Sequence, residues 1–197
     1  MKKYNIVYAD PPWKYGCWHK SENVKRNAAD HYDVTPTNVL KTYKIPSADN
    51  SVCLMWATYP CLKEAIALLE AWGFIYKTVA FTWVKRNKKS DSYFFGLGNY
   101  TRANAEIVLL GTKGKGLKRI SKSVRQICDA RIRNHSQKPC EIRDRIVELF
   151  GDIPRIELFA RTKTKGWDVW GNEVDSDIDI KQYNQSLNAD RQTTPAG

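Results

Sequence analysis

Five short runs rich in β-branched and aromatic residues recur along the chain: Tyr4–Ala9, Val52–Ala57, Thr78–Val84, Glu106–Leu110 and Arg155–Ala160. The segments between them carry apolar residues at helical rather than alternating spacing. Ile6-Val7-Tyr8-Ala9 is a short apolar run that ends at Asp10. Leu62, Ile66, Leu69 and Trp72 share one helical face, and Gly73 stands where that helix should stop. A second helix is expected to begin with Pro139 at its first position and carry Glu141 in its first turn. It should then run through Ile142, Ile146, Leu149 and Phe150 to Gly151. This alternation predicts an α/β domain of three layers with a largely parallel sheet.

A chain of 197 residues has room for one such domain and a full core, but not for two. The domain is expected over residues 1–173. From Val174 to Gly197 the sequence is polar, lacks a periodic apolar face and ends Gln-Thr-Thr-Pro-Ala-Gly, which predicts a flexible tail. Three long segments with weak periodicity, roughly Lys14–Thr35, Lys85–Arg102 and Lys113–Asn134, are expected to wall a site.

The 32 Lys and Arg outnumber the 21 Asp and Glu, for a net charge of +11. The tail holds four acids and two bases, so residues 1–173 carry +13. That excess predicts a polyanionic partner. The sequence has no apolar run of the ~20 residues a membrane span needs. The five cysteines (17, 53, 61, 128 and 140) form no CxxC pair, and the histidines (19, 31 and 135) are scattered. Reduced thiols and no metal site are expected. The short apolar run ending at Asp10 is not a secretory signal, so a cytoplasmic location is expected.

Asp10-Pro11-Pro12-Trp13 follows the first strand directly. A Pro-Pro pair after a strand is ordinarily a turn, with the Trp tucked into the core. In open α/β sheets, however, ligands bind beyond the carboxyl ends of strands, and these four residues would occupy such an edge. Two consecutive prolines fix φ and contribute no N–H, so the carbonyls of Asp10 and Pro11 could be held outward as rigid acceptors. An acid, rigid acceptors and an aromatic plane suit a flat heterocycle bearing an amino group.

With these residues the chain resembles the MT-A(70) family of S-adenosylmethionine-dependent adenine methyltransferases. The resemblance runs from about Tyr4 to Glu173. It rests on Asp10–Trp13, Leu54-Met55-Trp56-Ala57-Thr58, Trp83-Val84-Lys85, Gly98 through Glu106 into Leu110–Gly114, and His135-Ser136-Gln137-Lys138-Pro139-Cys140-Glu141. Glu157–Arg161 and Gly166–Glu173 complete the series, and the order and spacing together are specific. The resemblance implies a Rossmann-like methyltransferase fold in permuted motif order, the cofactor half following the catalytic half. Only six residues separate Arg161 from Asp168, too few for a helical crossover.

It also implies roles. Asp10 and the Pro11 carbonyl would accept hydrogen bonds from the 6-amino group of adenine, Pro12 would hold the turn, and Trp13 would stack on or wall a flipped-out base. Transfer from a sulfonium is an in-line displacement in which positioning supplies most of the acceleration. Lys138, before a helix start, would meet the cofactor's carboxylate. Ala9, Asp10, Ser136, Phe159, Arg161, Asn172 and Glu173 complete the implied cofactor site, with Glu173 accepting from ribose hydroxyls. Trp167 and Trp170 read equally well as core.

Substrate contacts are expected at Tyr15, at Lys85 and Arg86, at Arg102 and Glu106, and at Lys115, Lys118 and Arg119. Glu106 reads equally well as a structural ion-pair partner. The stretch Lys113–Arg133 holds eight Lys or Arg and one acid, and is expected to track phosphates at the pocket mouth. Small size implies a stand-alone prokaryotic or phage-borne enzyme acting on DNA rather than RNA, as a monomer or homodimer. A nucleic-acid-binding subunit without activity is the rival, disfavoured because the Asp10 motif and the cofactor motifs are intact. A cytosine amino-methyltransferase is a further alternative, and Asp rather than Ser at position 10 counts against it.

Overall fold

A computed structural model describes residues 2–13, 36–98, 100–134 and 137–185. Seven strands form one sheet: β1 (Tyr4–Ala9), β2 (Ser47–Ala57), β3 (Ile75–Arg86), β4 (Ala105–Lys113), β5 (Ile127–Arg131), β6 (Arg155–Leu158) and β7 (Asp168–Trp170). Their spatial order is β5-β3-β4-β2-β1-β6-β7. β4 runs against both neighbours, and the other six strands share one direction, so the sheet is largely parallel as expected. The strands β5 and β7 lie in segments that carry no strand-like run in the sequence reading.

Three helices lie between strands, α1 (Thr37–Leu40), α2 (Leu62–Ala71), entered through a 3-10 turn at Tyr59–Cys61, and α3 (Glu141–Phe150), and residues 180–185 are helical as well. Gly73 ends α2 at φ +85°, its N–H donating to the Glu70 carbonyl at 2.9 Å while Phe74 N–H reaches back to Leu69 at 3.2 Å. Only glycine takes that left-handed turn at no cost. In α3 the cap is Cys140, so Pro139 precedes the helix by two residues, within the usual fraying of helix ends.

Side chains alternate across a strand. Val7 and Ala9 of β1 therefore pack with Ala65, Leu68 and Leu69 of α2 on one face, and Ile6 and Tyr8 with Ile142, Ile146 and Phe150 of α3 on the other. Burial on both faces explains the unbroken apolar run and gives the three layers. Trp167 and Trp170 both prove to be core.

The first strand lies inside the sheet, between β2 and β6. The chain builds outward through β2, then returns at β6, which pairs with the free edge of β1 in register Ala9↔Leu158. This is the permuted order, and it puts the reversal of strand order, where open α/β sheets open a crevice, at the carboxyl ends of β1 and β6. β6 and β7 are parallel neighbours joined by residues 159–167 without a helix, and Trp167 packs beneath, 5.7 Å from the Tyr8 ring.

Gly171 follows β7 with its backbone against that of Ala160, two residues beyond β6. A Cβ there would lie 2.0 Å from the Ala160 carbonyl oxygen and 2.8 Å from its nitrogen. Gly171→Ala is expected to cost at least about 3 kcal/mol, because neither backbone can yield without breaking the strand edge. A thermal melt should fall by roughly 6 °C or more; an unchanged midpoint would contradict this close approach.

The expected flexible tail differs from what is observed through residue 185. Ile180 is fully buried with Leu40 and Ile45, and Ile178 packs on the same cluster. Asp177 accepts the Val169 N–H at 2.9 Å, and Asn184 bonds both backbone groups of Lys44. Two isoleucines are too few to show a period, yet they join the core cluster, while Asp177 pairs with Val169 of β7 through its N–H and its carboxylate. No helix among the described residues is long and apolar enough to cross a membrane.

Candidate active site

The six parallel strands end on one edge of the sheet, and antiparallel β4 begins there. Asp10 leaves β1 with its N–H on the Leu158 carbonyl at 3.4 Å, which fixes it over the crevice. Pro11 and Pro12 turn the chain, and Trp13 N–H donates to the Pro11 carbonyl at 2.9 Å. That carbonyl is therefore not free of backbone donors, contrary to expectation, though an oxygen with two lone pairs retains a second acceptor position. Trp13 is buried, its indole N–H on the Trp56 carbonyl at 2.9 Å. It braces the Asp10–Trp13 turn from within the core.

Four charged side chains form a chain across this edge. Lys138 Nζ lies 2.8 Å from Asp10 Oδ2 and 3.4 Å from Glu106 Oε2, and Lys85 Nζ lies 2.5 Å from Glu106 Oε1. None is more than 23% exposed. The Lys138 ammonium sits 5.4 Å from the Trp56 ring and that of Lys85 5.0 Å from Trp83. Two cations against two carboxylates leave no net buried charge, which is what permits the burial. Burial pushes Lys138 down, but Asp10 and Glu106 outweigh it and hold the ammonium firmly protonated. Burial likewise pushes Glu106 up, but Lys138 and Lys85 prevail and keep it below the ordinary carboxylate range. Both readings of Glu106 meet here: an ion-pair partner that stands at the site.

A carboxylate held below its unfolded value stabilises fully above that value, about pH 4.3, and loses the contribution as pH falls through the folded value. Glu106→Gln should therefore lower stability at pH 7 by about 2 kcal/mol, less than the full rupture of a buried pair because the amide still accepts a hydrogen bond. Below pH 4 the melting curves of the two proteins should converge. Parallel curves from pH 7 to pH 3 would refute the charge assignment.

The layer beneath is also tied. Arg143 of α3 donates twice to Glu157 of β6, at 2.7 and 2.5 Å, with its guanidinium 5.6 Å from the Tyr8 ring. Trp56 Nε1 donates to the Tyr8 hydroxyl at 2.5 Å. Arg143, Tyr8 and Trp56 thus brace the underside of the Asp10–Lys138 pair.

On the other side of the crevice, Phe159 follows β6 at φ +62°. A side chain bearing a Cβ adopts that conformation only under constraint, and such outliers gather at ligand sites. Its ring stacks on Trp72 at 6.4 Å and meets Trp170 edge-on at 5.3 Å. Arg161 Nε lies 3.6 Å from Glu173 Oε1, and Asn172 is exposed beside them. A cavity of about 410 Å³ opens past Asn172, walled by Ser176, Ile178 and Asp179 from the segment that the sequence assigns to a tail. The donor set suits an amino-acid nucleoside. Two of the three ammonium protons of Lys138 are engaged, leaving one for a carboxylate, while Glu173 and Asn172 can accept from hydroxyls. Ser136 and Tyr15 fall outside the described residues.

The basic rim requires correction. β4 runs away from the Asp10 edge for nine residues, roughly 26 Å at ~3.3 Å per residue. Lys115, just beyond it, donates its N–H to Asn50 at the opposite edge. Lys118 and Arg119 follow there, so these three do not flank the crevice. The reversal of β4 is what the sequence reading lacked. Only after β5 does the basic stretch return, with Arg131 on Asp91 and Arg133 near Glu141. Arg86 is clamped by Asp129 at 2.7 and 2.6 Å, and Arg102 lies over the Phe95 ring at 4.5 Å. Sequence reasoning missed the exposed Phe95, Leu97 and Tyr100, whose density in a segment without periodicity was the available signal.

Comparison with known proteins agrees with this geometry. The model of the family described as MT-A70 matches residues 4–173. The chain is 39% identical to "Type II methyltransferase M.MunI" of Mycoplasma sp, with 91% of this chain and 82% of that protein aligned. It is 25% identical to the "N(6)-adenosine-methyltransferase MT-A70-like" protein of Arabidopsis thaliana, over 94% of this chain but only 25% of that protein. With the "N6-methyladenosine RNA methyltransferase MTA1" of Pyricularia oryzae it shares 26% identity, over 87% of this chain and 47% of the relative.

Proposed function

The chain belongs to the MT-A70 family, and on that premise we propose that it transfers a methyl group from S-adenosylmethionine to the 6-amino group of adenine in DNA. The observation that carries the reading is the carboxylate of Asp10 held by Lys138 at the strand-order reversal. Lys138 occupies Oδ2, so Oδ1 is the acceptor left for an amine proton, with the second lone pair of the Pro11 carbonyl for the other. Two such acceptors draw the amine nitrogen away from conjugation with the ring and aim its lone pair. The bound cofactor would supply a methyl group on a sulfonium, already activated. The chain's task is then to hold the amine still, and positioning of this kind supplies most of the acceleration in such displacements. Lys138 would also hold the cofactor's carboxylate, Phe159 would face its base, and Asn172 and Glu173 would take the ribose.

DNA is favoured because this chain covers 82% of the Type II methyltransferase, whereas the adenosine and RNA methyltransferases extend well beyond it, the chain covering 25% and 47% of them. The test is direct. DNA and RNA from cells expressing the protein are digested to nucleosides and weighed by mass spectrometry. Methyladenine should rise in DNA only; a rise confined to RNA would overturn the choice of polymer, and no rise in either would overturn the reaction.

A further inference from the structure

We propose that the described residues between β3 and β4, 87–98 and 100–104, belong to a finger that enters the stack of duplex DNA beside the target adenine and fills the space the base leaves. The proposal rests on the reading of the site as an adenine methyltransferase. The finger is anchored at the site: Phe94 N–H donates to the Lys85 carbonyl at 2.8 Å, and Lys85 N–H to that of Asn104 at 2.8 Å. Lys85 is the residue whose ammonium holds Glu106.

Its two limbs lie back to back. A Cβ on Gly96 would be 2.1 Å from the Ala103 carbonyl oxygen, and one on Gly98 2.0 Å from that of Thr101, so the narrowness depends on glycine. On this braced frame, large apolar side chains point outward: Phe95 is 70% exposed, Leu97 56% and Tyr100 87%. Such residues in solvent are unfavourable unless something covers them.

Charge selects the occupant. Between Arg86 and Asn104 the finger carries four cations and one acid. Guanidinium groups lie over the Tyr93 and Phe95 rings at 4.6 and 4.5 Å. A second copy of the chain would set like charges together, whereas a duplex offers phosphates to the cations and base faces to the rings. An adenine must leave the stack before its amine can reach Asp10, and an apolar wedge between base steps is the physical means of stabilising that state.

The test uses the duplex sequence at which methylation is mapped, in three forms: fully paired, with an abasic site opposite the adenine, and with 2-aminopurine in place of the adenine. The double variant Phe95→Ala, Leu97→Ala should lose roughly ten- to a hundredfold of turnover on the paired duplex and change less than about threefold on the unpaired form, since an adenine without a pairing partner leaves the stack at lower cost and depends less on a wedge. The rise in 2-aminopurine fluorescence given by wild type should disappear. Equal loss on both duplexes, or no loss on either, overturns the wedge. So does sedimentation showing a wild-type dimer that the variant dissolves, which would give the finger to a second copy. Wild-type protein that methylates neither duplex sinks the methyltransferase reading itself and the wedge with it, a result distinct from the others.

Discussion

Asp10→Ala is expected to lower turnover by at least a hundred- to a thousandfold, the usual cost of removing one preorganised group that acts at the reacting centre. Calorimetric heat of S-adenosylmethionine binding should survive. The asymmetry follows from the geometry: Asp10 gives one oxygen to Lys138 and, on the proposed mechanism, the other to the amine. Without it, Lys138 keeps Glu106 as partner, and the chain is left with one cation in excess. Asp10→Asn retains the shape but leaves two cations against one carboxylate, so it should lose stability on the scale of Glu106→Gln, about 2 kcal/mol, and still fold, yet remain far below wild type in turnover. If Asp10→Ala turns over at a tenth of the wild-type rate or better, Asp10 does not hold the amine.

Lys138→Met is expected to act on both halves of the reaction and on stability. It removes the ammonium that lies within 3.4 Å of two carboxylates, leaving Asp10 and Glu106 facing one another with Lys85 as the remaining cation of the chain. Breaking a buried pair by deleting one partner costs ~3–5 kcal/mol, and the lower end applies where the groups retain some contact with water. Affinity for S-adenosylmethionine should fall about ten- to a hundredfold, the worth of a charge-assisted hydrogen bond to its carboxylate. Glu106 loses the larger of the two cationic influences that hold its carboxylate low, so its pKa should rise toward the ordinary carboxylate value. Lys138→Arg should recover stability more fully than turnover, because a planar fork cannot replace a point charge at both carboxylates. Unaltered cofactor heat in Lys138→Met would remove Lys138 from the cofactor site.

The three layers were legible because burial on both faces of β1 leaves an unbroken apolar run and because α2 and α3 show a helical period with Gly73 and Gly151 at their ends. The Asp10–Trp13 turn was legible because its residue types are uncommon in that position. Spatial relations were not. Nothing local in Ala105–Lys113 shows that β4 runs against its neighbours, and that reversal alone carries Lys115, Lys118 and Arg119 to the far edge. The Lys85–Glu106–Lys138–Asp10 chain joins residues up to 128 positions apart, so sequence could nominate each member but not their contact. Trp13 went to the core because its indole N–H found the Trp56 carbonyl, a partner on another strand. Ile178 and Ile180 look isolated in a polar segment, and only the fold brings them against Leu40, Ile45 and Trp170.

The most direct measurement is incubation of the purified protein with trideuteromethyl-labelled S-adenosylmethionine and DNA, followed by digestion and mass spectrometry of the nucleosides. The label is predicted on the exocyclic nitrogen of adenine, lost with Asp10→Ala. Label on cytosine, on a ring nitrogen, or on no base while the protein still binds cofactor would contradict the account.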